Sequence, residues 1–93
     1  MEKEPLFSLG QVVATPGAIE LLERRRVAPI DLLMRHVTGD WGDLVEEDKQ
    51  ENELSVQKGH RILSSYKLGR GEKVWVITEA DRSVTTLLLP SEY

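Results

Sequence analysis

RILSSYKLGRGEKVWVITEADRSVTTLLLP, Arg61 to Pro90, is the stretch whose reading decides the fold. Residues from Arg61 to Lys67 alternate in polarity, Gly69-Arg70-Gly71 supplies a turn, and Lys73 to Glu79 alternates again. Trp75 and Ile77 share one face of that second segment. Val74 and Val76 make its other face apolar as well, the pattern of a central strand covered on both sides. Ala80 to Ser83 forms the next connection, with Asp81 placed to bond local backbone amides. Val84 to Leu89 makes a third strand, and Pro90 stops further pairing. The prediction is an antiparallel meander.

Working outward, the period changes. Leu6 to Ala14 is apolar and ends in Gln-Val-Val-Ala, a short strand that can join the meander. Thr15-Pro16 reads as an N-cap followed by proline at the first helical position. Ala18, Leu21 and Leu22 then face one side of a helix ending near Arg26, with Arg24, Arg25 and Arg26 at its carbonyl end. Pro29 starts a second helix, Ile30, Leu33, Met34 and Val37 recur along it, and Gly39 stops it. A third helix is expected from Asp43, as its cap, to Gln57, with Leu44, Val45, Leu54 and Val56 as its packing residues. The fold class is therefore α+β: two or three N-terminal helices on a C-terminal antiparallel β-meander, with an N-terminal strand added. Residues 1–93 make a single domain.

Composition narrows the function. The chain has 16 acidic and 12 basic residues, a net charge of −4 and no cysteine. An acidic surface repels phosphates, which argues against direct nucleic-acid binding. The lack of cysteine removes disulfides and thiolate chemistry, and with no signal-like or membrane-spanning run the expected location is cytoplasmic. A helix-turn-helix reading of the first two helices fails because the second offers Asp31 and an acidic continuation to a phosphate-walled groove.

Charge is concentrated in GDWGDLVEEDKQENE, Gly39 to Glu53. Seven of the fourteen residues from Asp40 onward are acidic, against Lys49 alone. Asp43, Glu47 and Glu51 fall at i, i+4 and i+8 on one helical face. Such carboxylates can neutralise a basic protein surface or remain a solvated face. A metal reading is weaker, since there is no calcium-loop pattern and no histidine at ligand spacing. Trp41, at a glycine-flanked corner, is expected either to anchor a partner or to plug the seam between helices and sheet. The candidate partner-binding residues are thus Asp40, Trp41, Asp43, Glu46, Glu47, Asp48 and Glu51. No phosphate-binding glycine loop or nucleophile elbow occurs, and no cofactor is implied. His36, in the last turn of the second helix, is read as structural or surface, with its protonated form favoured by the helix dipole. His60, Arg61, Thr78 and Arg82 are the groups a small RelE- or barnase-like ribonuclease would use.

Several strings have a further resemblance. GQVVATPGAIELL, GDWGDLVEEDKQENE, RILSSYKL and VWVITEADRSVTTLLLPSEY together resemble a family of small bacterial proteins carried by plasmids, phages and integrated elements. Its members are often labelled "type I restriction endonuclease subunit M" or "plasmid-related protein". The methylase label does not fit these residues: the chain has neither a glycine-rich cofactor loop nor the Asn/Asp-Pro-Pro-aromatic motif that holds a flipped base. The genetic context implies an accessory or counter-defence protein. The leading expectation is a non-enzymatic modulator that binds a protein with a basic nucleic-acid-handling surface, as in restriction or CRISPR-type immunity. The alternatives are the ribonuclease and a self-assembling, antitoxin-like or structural subunit, a homodimer through its acidic helix.

Overall fold

The structure is a computed structural model that describes residues 3–93. β1 (Gln11–Ala14) leads into α1 (Pro16–Arg24), α2 (Pro29–Val37) and α3 (Glu46–Lys58). β2 (Ile62–Gly69), β3 (Glu72–Thr78) and β4 (Val84–Leu88) follow, and a short 3₁₀ turn, Pro90–Glu92, ends the chain. The class is α+β, as the periodicities require. The four strands form one sheet in the order β1-β4-β3-β2. β2, β3 and β4 are the antiparallel meander, and β1 joins it parallel to β4, Gln11 opposite Val84.

Alternation along the strands sets two faces. Ile62, Ser64 and Tyr66 of β2, Val74, Val76 and Thr78 of β3, and Thr85 and Leu87 of β4 point to the same side and are all buried. Ala18, Leu21 and Leu22 of α1 and Leu32 and Leu33 of α2 complete the core on that side. On the opposite face Trp75 is half-buried, with the Tyr93 ring edge-on to it at 5.7 Å. The Tyr93 hydroxyl there accepts from Arg61 Nη1 at 2.9 Å.

Local chemistry fixes the helix ends. The Thr15 hydroxyl accepts from Ala18 N at 3.2 Å, as an N-cap should. It also donates to the Glu92 carboxylate, whose second oxygen receives Gly17 N at 3.1 Å, so the C-terminal turn is fastened to the start of α1. All three helices end on a left-handed residue, Arg26, Gly39 and Gly59; α1 and α2 close with the paired Schellman bonds, while in α3 both Gly59 N and His60 N donate to Ser55 O. Arg26, at φ 56°, does so against its side chain's preference. Arg24 and Arg25 bracket Glu72 and tie the end of α1 to the β2–β3 hairpin. Arg24 is the chief cause holding that carboxylate below its usual range.

The dipole reading of His36 is corrected. The imidazole is fully buried, with the Phe7 and Trp41 rings edge-on to it, and desolvation, aided by Arg82, pushes its pKa down to about 4. Its hydrogen bonds determine its tautomer. The Thr85 hydroxyl donates its one proton to Leu9 O at 2.7 Å, so its oxygen must accept from Thr78, also at 2.7 Å. Thr78 has then spent its proton and must accept from His36 Nε2–H at 2.9 Å. The other ring nitrogen, Nδ1, accepts from the Ser64 hydroxyl at 2.6 Å. A neutral histidine thus links α2, β2, β3, β4 and the N-terminal segment through one directional chain of hydrogen bonds.

Candidate functional site

α3 differs from the other helices in how it is attached. Its only buried residues are Asn52 and Ser55. The sequence pointed to Leu44, Val45, Leu54 and Val56 as its packing residues. Leu44 and Val56 are half-buried, but Val45 and Leu54 are 65% and 44% exposed, because contact comes from the polar stripe instead. The helix also starts later than expected. Val45, not Asp43, is its N-cap, without a side-chain cap bond. Asp43 is drawn away because Gly42, at φ 77°, turns the chain alongside β2.

Hydrogen bonds hold α3 in place. The Asn52 amide Nδ2 donates to Leu63 O at 2.7 Å, and its Oδ1 accepts from Leu63 N at 3.2 Å. One side chain therefore does for Leu63 what a neighbouring strand would do. Two residues along the same edge, Ser65 N donates to Trp41 O at 3.1 Å and Asp43 N donates to Ser65 O at 2.6 Å. Trp41 Nε1 donates to Glu53 Oε2 at 2.8 Å. Arg82 closes the far end: its guanidinium donates to Ser55 O at 2.9 Å and to the carbonyls of His60, Glu79 and Ala80. Ser55 O is at the carbonyl end of the helix, where a cation is favoured.

The expected partner-binding residues separate into three groups. Asp40 is engaged within the protein: it pairs with Arg35 at 2.7 Å and receives Gly42 N, and the Arg35 hydrogen bond leads the effects that lower its pKa. Asp43 faces Lys67 at 3.5 Å and Lys73 at 3.8 Å. Trp41 is 3% exposed and stacks on Phe7 at 6.4 Å between ring centroids, so its ring is not presented at the surface. Its seam-filling alternative describes its place. Glu46, Glu47, Asp48 and Glu51 form the third group. They are exposed, and none has an ion-pair partner among the described residues.

Periodicity places Leu54 on the Glu47–Glu51 face, since 47, 51 and 54 follow at i, i+4 and i+7. On the side toward the sheet, Leu44, Asp48, Glu51, Asn52, Arg61 and Leu63 line a shallow groove of about 300 Å³. Asn52, Ser55 and Leu54 were missed as site residues. Asparagine is a poor helix-interior residue because its amide competes for backbone partners, and that was the available signal for Asn52.

Three of the four groups proposed for RNA cleavage are occupied elsewhere, and the fourth, His60, is exposed. The Thr78 hydroxyl is buried in the His36 chain, Arg61 pairs with Glu79, and Arg82 holds four backbone carbonyls. Among the described residues no three His, Asp or Glu side chains converge as metal ligands, and no helix is long and apolar enough to cross a membrane. Compared with known proteins, the chain matches no family model, no curated protein and no solved structure, so the site rests on its own residues.

Proposed function

We infer that this chain is a non-enzymatic protein-binding modulator whose acidic α3 occupies a basic, nucleic-acid-binding groove on its partner. One observation carries the reading: Glu46, Glu47, Asp48 and Glu51 stand exposed without cationic partners, on a helix that buries only two polar residues. A helix fastened by Asn52 and Arg82 leaves its Glu47–Glu51–Leu54 face for another molecule. Leu54 and Val45 supply the apolar contact first sought in Trp41. Opposite charge would steer the encounter and make it salt-sensitive. A nucleic-acid-handling component of restriction or CRISPR-type immunity has the matching surface, and the resemblance to proteins of mobile elements favours that target.

The experiment is capture of tagged protein from its host at low and high salt, with the Glu47→Lys/Asp48→Lys double variant in parallel. The expected result is a stoichiometric nucleic-acid-handling protein, released by salt and held at least about tenfold more weakly by the variant. The variant should melt with the parent protein. Equal retention of the same partner by parent and variant would refute the acidic-helix mechanism.

A further inference from the structure

The two edges of the sheet are treated oppositely. At β2, Leu63 is paired by Asn52 and Ser65 by the Trp41–Asp43 segment, and Lys67, the next residue to face outward, puts a charge on the edge ahead of a bulge. At β1 the hydrogen-bond phase is fixed by Gln11 N donating to Ser83 O at 2.9 Å and Thr15 N donating to Leu87 O at 3.0 Å. In a parallel ladder the odd residues then face β4, and the N–H and C=O of Val12 and Ala14 point away from the sheet. No hydrogen bond from the rest of the chain reaches these groups among the described residues. Val12 and Val13, 42% and 40% exposed, flank them on the two faces. Within Gln11–Ala14 the edge has none of the devices that block strand addition, no charge, no proline and no bulge, and Gln11 to Val13 are exposed.

We propose that β1 pairs antiparallel with β1 of a second copy of this chain, about a two-fold axis at Val13, joining two sheets into one of eight strands. The groups on the edge are self-complementary under that operation. Residues 12 and 14 lie symmetrically about 13, so Val12 exchanges both hydrogen bonds with Ala14 of the second copy, and Ala14 with its Val12. Val13 then faces its own counterpart as a close non-hydrogen-bonded pair. Charge selects this edge over the other. Gln11 to Ala14 carry none in a chain of net charge −4, and the acidic α3 lies beside β2, at the far end of the strand order. Pairing through β1 puts the two acidic helices at opposite ends of the joined sheet. Pairing through α3, the arrangement expected of a self-assembling subunit, would set like charges together. Because the contact is isologous it closes at two copies.

Sedimentation and amide exchange across a wide concentration range test the proposal. The parent protein should shift from one-chain to two-chain mass as concentration rises. Protection of the Val12 and Ala14 amides should rise in step. Val13→Lys should raise the dissociation constant at least about tenfold by placing two lysines in contact. Val13→Thr, which keeps strand preference without charge, should retain the dimer, and so should Glu47→Lys/Asp48→Lys. Far-ultraviolet circular dichroism of dilute samples checks that each variant is folded. A one-chain mass at every concentration would overturn the proposal. So would a dimer that Val13→Lys leaves intact.

Discussion

α2 and α3 are both short helices beside the same sheet, yet they are held by different physics. α2 buries Leu32, Leu33, His36 and Val37 in nine residues. α3 buries Asn52 and Ser55 in thirteen. Apolar burial is non-directional and strong in sum, so α2 fixes the core but has little surface to offer. Directional bonds from Asn52, Glu53 and Ser55 place α3 without using Glu46, Glu47, Asp48 or Glu51. The difference shows how a small protein can keep a stable body and a chemically free face on adjacent helices.

Truncation of α2's apolar face should have the largest effect. Leu32, 3% exposed, lies among the α2 core residues. Leu32→Ala should cost about 3 kcal/mol of global stability, measured by denaturant unfolding. A loss under about 1 kcal/mol would mean that α2 is not apolar-anchored.

Acid should attack the same helix through His36. Its folded pKa is lowered to about 4, so between the ordinary histidine value and that point the unfolded chain binds a proton that the folded chain does not. Stability contributed by neutral His36 is therefore complete above about pH 6.5 and is lost as pH falls toward 4, by roughly 3 kcal/mol at the limit. Nitrogen-detected NMR should show Nε2 protonated and Nδ1 bare throughout neutral pH. Titration near the ordinary histidine pKa would contradict the assigned hydrogen-bond chain.

Removing α3's polar fastening should produce a smaller and more local change. Asn52→Ala leaves the Leu63 N–H and C=O without their side-chain partner, at a cost of about 2 kcal/mol. Amide exchange should speed up in α3 and at Leu63 before it does in β3. Equal acceleration everywhere would show that both helices belong to one cooperative unit.

The smallest effect compares helix ends. α1 closes on Arg26 and α3 on Gly59, both left-handed. Arg26→Gly should stabilise by about 0.5 kcal/mol, because glycine adopts that conformation without penalty. A destabilised variant would mean that the Arg26 side chain makes a contact worth more than the strain.

Much of this architecture was legible before folding, and the reasons are local. Thr15-Pro16 and Pro29 start helices, and Gly39 ends one, through backbone preferences that need no distant partner. The alternation of Val74, Trp75, Val76 and Ile77 set β3 in the middle of the sheet. The acidic run marked α3 as the candidate surface because charge is additive along a helix. The polar core was not legible. Nothing adjacent in sequence says that His36 meets Ser64 and Thr78, or that burial will outweigh the helix dipole and keep its ring neutral. Nor could sequence choose between the two places it offered for Trp41, or tell that Asn52 substitutes for a strand and that Arg82 is spent on four carbonyls. Those outcomes depend on which groups are brought together across the chain and how much water they lose, and both are fixed only when the sheet closes against its helices.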